Sequence, residues 1–313
     1  MKPQRPLEDI WKTDLPEGFD PMTAKELRQS LRRGSFVVPF LAVQVLALAA
    51  MVAEFMSGHE VGASQFVGIL NIQLLNSSGP FWMVAGAVCM VLMPLCGLAL
   101  MGQELEEGNH ELLLLTHLNR WKVVGGKFAT LWGLSLVTFI SLLPYGVVRY
   151  LVGGIEWWHE AACAGTVLTG SAMVGAGAIG ASAFRNIGAR MGIMILFLIS
   201  MIAGCGVPLG LVAIKTGACG FLYHFTAIAA MICYSVLGLA LGRSRLRLAV
   251  RAYELKPSVM VIGLLGFAPF VIGLTTAVSN GYGGWIGLGL VTLTAIRLDR
   301  SSEVPAGVAA IRS

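Results

Sequence analysis

Residues 36–55 read FVVPFLAVQVLALAAMVAEF, twenty residues in which Glu54 is the only charged side chain. A helix needs about 20 mostly apolar residues to cross the hydrocarbon of a bilayer. Further segments are apolar over a similar length, and they cover residues 80–102, 128–152, 162–183, 191–213, 221–241, 258–278 and 282–296. The sequence therefore predicts an all-α, polytopic membrane protein with about eight transmembrane helices.

The composition of the whole chain agrees with this class. The 313 residues are 56% hydrophobic and 12% charged, whereas soluble domains contain about 25% charged residues. The six cysteines form no CxxC pair, and their apolar surroundings indicate packing residues, not a disulfide framework or a metal site. The net charge of +5 is spread over short loops, so we expect membrane lipids as partners and no nucleic acid.

The basic residues alternate along the chain and predict an orientation. Of the 22 Lys and Arg residues, all but Arg149 and Lys215 fall in one set of gaps between the apolar segments. Basic residues near spans stay on the cytoplasmic side. We therefore expect a plasma (inner) membrane protein with both termini in the cytoplasm. Residues 61–76 are predicted to be an outer interfacial or re-entrant segment, because a further span there would destroy the charge bias.

The segment before the first span has the features of an amphipathic helix. Thr23 and Glu26 form a capping box. Leu27 and Leu31 make a narrow apolar stripe between basic residues. We expect this helix to lie on the inner membrane surface, either as an anchor alone or also in contact with a cytosolic partner.

The inner loop after the second span, GQELEEGNHELLLLTHLNRWKVVGGK (102–127), has an unusual pattern. Glutamates recur at helical spacing, and Gly108 is a predicted helix break. Four consecutive leucines, 112 to 115, follow in a cytoplasmic loop, where apolar residues are costly unless they meet lipid or protein. The loop is expected either to fold back on its own bundle or to dock on a partner.

This loop resembles that of the permeases of second-type ATP-binding-cassette exporters. Their pattern is Glu, a spacer, Glu-Gly-Thr, Glu, Leu-Leu, then Pro, a basic residue and Gly-Lys. The chain departs from it at Asn109, where the family has Thr, and at His117, near the usual Pro. The resemblance covers residues 20–150. The matching residues are Glu104, Glu107, Gly108, Glu111, Leu112, Leu113, Arg120, Gly126 and Lys127.

The resemblance implies a function and a domain organisation. Residues 103–122 would be a coupling helix that docks on a cytosolic ATP-binding-cassette ATPase, and a second permease subunit, the same or different, would complete the exporter. Residues 36–241 would form a six-span core. A cytoplasmic segment with the amphipathic helix (1–35) precedes this core, and a basic cytoplasmic loop, a C-terminal transmembrane hairpin and a tail (242–313) follow it.

Several kinds of chemistry have no sequence signature in this chain. Gly126 and Lys127 are followed by Phe128, so no phosphate-binding loop is present. Neither an HExxH zinc motif nor a GxSxG nucleophile elbow occurs. We therefore expect no enzyme activity and no catalytic, cofactor or metal residues, with ATP bound by the partner subunit. The alternative function is a non-transporting membrane scaffold that recruits a cytosolic partner.

Polar residues within membrane spans are costly and often functional. Glu54 and Arg149 lie near the predicted outer ends of the first and third spans. They are expected either to extend separately to the lipid headgroups or to pair as an outer gate. Gln44 lies deeper and is expected to hydrogen-bond between helices. The glycines of the fourth span predict close helix packing, within the bundle or between subunits.

Overall fold

The computed structural model describes residues 34–57, 72–99, 120–153, 157–184, 186–216, 221–250 and 259–300, together with Leu31. Within these ranges the regular elements are helical and no strand occurs, which confirms the predicted all-α class. The α-helices are α1 (Gly34–Ser57), α2 (Ile72–Ser77), α3 (Pro80–Gly86), α4 (Met93–Cys96), α5 (Arg120–Gly153), α6 (Trp157–Ser182), α7 (Ile187–Thr216), α8 (Phe221–Val250), α9 (Val259–Val278) and α10 (Gly284–Arg300).

Six of the described helices, α1 and α5 to α9, are long and apolar enough to cross a membrane. Two further apolar helical stretches are shorter, Pro80–Cys96 and Gly284–Leu298. They coincide with the predicted second and eighth spans. The six long helices suit a multi-pass membrane protein, whereas the count of eight, the plasma membrane and the cytoplasmic termini stay predictions.

Two helices extend furthest past the apolar segments that predicted them. α5 begins at Arg120, so residues 120–127, which were assigned to the inner loop, are helical. α8 continues to Val250, beyond the predicted end at residue 241. Hydropathy misses such extensions because they carry basic side chains. The two extensions meet where the Arg243 guanidinium lies 4.9 Å from the centre of the Trp121 ring, a distance suited to a cation–π contact.

The helical stretch that starts at Pro80 is irregular. A π-helical turn, Ala87–Leu92, connects α3 to α4, and a 3-10 turn, Gly97–Ala99, ends the stretch. Pro94 has no backbone N–H and therefore cannot donate the hydrogen bond that an α-helix requires at its position. Proline residues disturb helices for this reason. The Met93 N–H donates to the Val88 carbonyl, five residues back. Met90, in the π-helical turn, packs against Gly170 of α6, where a Cβ atom would collide with its side chain.

α6 lies at the centre of the bundle. It packs against the irregular stretch, α5, α7 and α8, and its residues from Gly170 to Ser182 are all buried. A Cβ atom at Gly180 would lie 2.5 Å from the Gly238 carbonyl oxygen of α8. Small residues thus let the two backbones approach, so Gly170, Gly177 and Gly180 of the predicted fourth span are used for packing within the bundle.

The buried apolar residues form two large clusters. The first core, which includes Phe81 and Leu142, joins α1, the irregular stretch, α5 and the first half of α6. The second core, which includes Phe197 and Tyr234, joins α6 to α10. The α9–α10 hairpin therefore packs on α7 and α8. The predicted boundaries at residues 35 and 241 stay predictions. The predicted amphipathic helix lies outside the described residues apart from Leu31. Of the predicted outer segment 61–76, residues 61–71 lie outside them and residues 72–76 belong to α2.

Candidate functional site

Arg149 is the largest fully buried side chain among the described residues, and it lies near the end of α5. Its Nε donates to Glu54 Oε1 of α1 at 2.6 Å, and its Nη1 donates to Glu160 Oε1 of α6 at 2.6 Å. Its Nη2 donates to the backbone carbonyl of Ser78. The guanidinium also lies 5.9 Å from the centre of the Phe81 ring. One side chain thus ties together three helices and the turn between α2 and α3.

The turn before α3 leaves space for the Glu54 carboxylate. Gly79 has a φ of 104°, a backbone conformation that glycine adopts without steric cost. A Cβ atom at this position would lie 2.9 Å from both Cδ and Oε2 of Glu54. Pro80 then begins α3, as is common at the first helical position. This Gly-Pro pair therefore places the Ser78 carbonyl and the Glu54 carboxylate together.

Further polar side chains surround the ion pairs. Trp82 Nε1 donates to Glu160 Oε2 at 3.0 Å, so both oxygens of this carboxylate accept hydrogen bonds. The Ser78 hydroxyl donates to the Leu74 carbonyl. It also lies 2.7 Å from His159 Nε2 and 3.1 Å from Cys163 Sγ. We call Glu54, Ser78, Trp82, Arg149, His159, Glu160 and Cys163 the polar cluster.

The polar cluster is expensive to build in an apolar bundle. Glu54 and Glu160 are only 5% and 6% exposed, and Arg149 is not exposed. Taking such ions out of water costs several kcal/mol each, which mutual attraction and further hydrogen bonds must offset. Charged side chains buried among membrane helices commonly mark a functional site. The cluster lies where α1 and α5 end and α6 begins, at the predicted outer end of the bundle.

A cavity of about 430 Å³ adjoins the polar cluster. Glu160 lines it beside Trp82, whose indole N–H donates to the same carboxylate, and mainly apolar side chains of α3, α5 and α6 form the rest. Val147, Leu151 and Trp157 line it and are also exposed on the outside of the helices. The cavity therefore opens sideways at the bundle surface, and a molecule within the membrane has a path to the buried carboxylate.

A second cavity, of about 580 Å³, lies between α6 and α8. Thr166, Thr169 and His224 are among its lining residues. The two threonine hydroxyls donate to carbonyls of their own helix. Its wall contains no carboxylate. The first cavity is therefore the better candidate for recognising a charged group.

The structure brings Glu54 and Arg149 into direct contact, and neither extends separately to the surface. Their role as an outer gate stays a prediction. The residues of the predicted docking loop, Glu104, Glu107, Gly108, Glu111, Leu112 and Leu113, lie outside the described residues. Arg120 begins α5, and Lys127 is buried within the same helix.

The sequence did not indicate Glu160 and Ser78 as partners of Arg149, nor Trp82 as a donor to Glu160. The predicted fourth span began at residue 162, so Glu160 was placed just outside it. One signal was available, because a buried arginine needs acceptors for several N–H groups and Glu160 immediately precedes an apolar run. Among the described residues, no group of three His, Cys, Asp or Glu side chains is arranged to hold a metal ion.

Comparisons with protein-family models, curated proteins and solved structures found no match.

Proposed function

We propose that this protein is the membrane-spanning permease subunit of an ATP-driven exporter that works with a separate cytosolic ATPase. The observation that carries the proposal is the buried Glu54–Arg149–Glu160 cluster beside a cavity that opens sideways. A bundle that only fills the membrane gains little from three buried charges, because their desolvation is costly. A path for a substrate would make use of these three charges.

The arrangement of the helices also supports transport. The polar cluster joins α1, α5 and α6 at one end of the bundle. The opposite ends of α4 and α5 flank residues 100–119, which contain most of the predicted docking loop. A force on that loop acts directly on α5, which carries Arg149 at its other end. ATPase closure would then tilt α5 and separate its ion pairs.

Docking of the ATPase is tested by introducing an arginine into the loop. Glu111→Arg or Leu113→Arg should reduce the amount of ATPase that co-purifies from native membranes, because both changes alter the acidic and apolar surface predicted to bind it. Membrane insertion should be unchanged. Glu303→Arg and Leu255→Arg are matched controls, since they make the same replacements elsewhere on the predicted inner side.

The outcomes separate the exporter from the scaffold. Unchanged ATPase co-purification and unchanged stimulation of its ATP hydrolysis in both loop variants would contradict docking at this loop. If the captured partner has no ATPase activity, the protein is instead a scaffold, and disruption of the polar cluster should leave partner recruitment intact.

A further inference from the structure

The polar cluster contains more potential negative charge than positive charge. Two carboxylates, Glu54 and Glu160, share the Arg149 guanidinium. His159, hydrogen-bonded to Ser78, is the other group of the cluster that can become positive. With His159 neutral and both carboxylates ionised, these groups sum to one net negative charge, which favours a cation nearby.

The sequence around the polar cluster also contains more acidic than basic residues. The gaps assigned to the outer side, together with the adjoining ends of the spans, contain four carboxylates, at positions 54, 60, 156 and 160. The same regions contain only Arg149 and Lys215 as Lys or Arg residues. A positively charged ligand is therefore favoured at this end of the bundle, whereas an anion would be repelled.

The wall of the cavity beside Glu160 is rich in aromatic rings. Trp82, Phe139, Tyr150 and Trp157 line it together with Phe81. Two pairs of these rings, Phe81 with Trp82 and Tyr150 with Trp157, meet edge to face, with centroids 5.4 and 6.2 Å apart. Ring faces attract organic cations, and the attraction amounts to about 0.5–2 kcal/mol per contact.

We propose that this cavity binds an organic ammonium ion that carries an apolar tail. The ammonium group would lie between the aromatic rings and the Glu160 carboxylate, and the tail would follow Leu143 and Val147 towards the side opening. The volume of about 430 Å³ lies within the usual range for sites of small ligands. As a substrate site, the cavity rests on the proposed exporter function, whereas binding itself can be measured without the ATPase.

The direct test uses the full chain, purified in uncharged maltoside micelles, with decyltrimethylammonium as the probe. Binding is followed by tryptophan fluorescence, because Trp82 and Trp157 line the cavity. Decanol and decyl sulfate have the same tail without the positive charge. We expect the cation to bind at least about tenfold more tightly than either, a difference of about 1.4 kcal/mol. Equal affinity for cation and alcohol would overturn the proposal.

Two variants distinguish the effect of the Glu160 charge from the effect of the cavity volume. Glu160→Gln retains hydrogen-bonding capacity and should remove the preference for the cation. Gly146→Leu leaves every charge in place but should fill the cavity, because a Cβ atom there meets only Glu160 Oε2, at 3.9 Å. Gly266→Leu is the matched control, since a Cβ atom at that position of α9 has open space around it. Full affinity in Gly146→Leu would place the probe elsewhere and overturn the proposal.

The ammonium group has two sources, a lipid headgroup or a free lipophilic amine. Phosphatidylethanolamine added to the micelles should compete with the probe if the lipid occupies the site, whereas phosphatidylglycerol should not. Probe binding that neither lipid reduces assigns the site to a free amine. Absent probe binding with normal ATPase docking would overturn this inference alone. Probe binding without any ATPase docking would count against the exporter and leave the site standing.

Discussion

The first and second cores are held together in different ways. At its predicted outer end, the first core is joined by ion pairs and by the tips of long side chains, with Arg149 between Glu54 and Glu160. The second core is joined by close backbone approach, as at Gly180 and Gly238. Its hydrogen bonds between helices are made by single hydroxyl groups, such as Tyr234 Oη of α8 donating to the Ser200 carbonyl of α7 at 2.6 Å.

This difference indicates which part of the molecule can rearrange. A close glycine contact holds two backbones at one separation, because any sliding brings side chains into collision. Ion pairs made by side-chain tips exchange partners when a proton or a ligand cation arrives. We therefore expect motion at the polar cluster of the first core, relative to a second core that stays rigid. α6 belongs to both cores and connects them.

The largest expected effect is that of Arg149→Gln. The change leaves Glu54 and Glu160 buried and facing each other, and removal of one partner from a buried charge network costs about 3–5 kcal/mol. The free energy of unfolding, measured by titration with a denaturing detergent in mixed micelles, should fall by that amount.

A double variant sharpens this test. Glu54→Gln combined with Arg149→Gln should recover part of the loss, because one buried carboxylate is removed with its counter-charge. Simple addition of the two single effects would contradict a shared network. Arg149→Lys should also be destabilising, since an ammonium group cannot reproduce three directed N–H contacts of the guanidinium.

A smaller effect is expected from Gly238→Ala in the second core. The added Cβ atom would lie 2.6 Å from the backbone carbon and oxygen of Ala176, so α6 and α8 must separate. Overpacking of this kind costs about 1–3 kcal/mol. The same detergent titration measures it.

Gly273→Ala is the control for this change, because a Cβ atom there has open space around it, and alanine favours the helix over glycine by up to about 1 kcal/mol. If Gly238→Ala is as stable as Gly273→Ala, the close α6–α8 contact does not determine the stability of the second core.

The smallest effect is expected from Gln44→Leu. Gln44 Nε2 of α1 donates to Ser141 Oγ of α5 at 2.6 Å, away from the polar cluster. Hydrogen bonds between membrane helices contribute about 0.6 to 2 kcal/mol, so the loss should be at that level in the same assay. Val45→Leu, at the neighbouring exposed position, should have no effect. A loss as large as that of Arg149→Gln would show that this single bond, too, holds α1 in place.

The helices themselves were largely predictable from the sequence. Segments 36–55 and 258–278 predicted α1 and α9 to within two residues at each end, because uninterrupted apolar runs reflect burial in lipid directly. The beginning of α5 at Arg120 and the end of α8 at Val250 were missed. These ends contain basic residues, and a helix that continues past the apolar layer has no hydropathy signal.

The candidate site was predictable only in part. Glu54 and Arg149 stood out because charged residues are rare in apolar runs. The interhelical hydrogen bond of Gln44 was expected because uncharged polar side chains are also uncommon there. Glu160 and Ser78 did not stand out, since each lies at the edge of a span, where polar residues are common. The cavity had no signal of its own, because apart from Glu160 its wall is made of aromatic and aliphatic residues from three separate segments.

The sequence by itself determined the all-helical class, the positions of the apolar helices and the uneven distribution of basic residues among the gaps between them, since hydropathy and charge are properties of local segments. Only the tertiary structure decided that Arg149 pairs with both Glu54 and Glu160 and that a cavity opens beside them. An apolar helix in a membrane bundle has no distinct polar face to orient it, so its rotation and tilt are decided by contacts with neighbouring helices. Those contacts, such as Gly180 against Gly238, join residues that are distant along the chain.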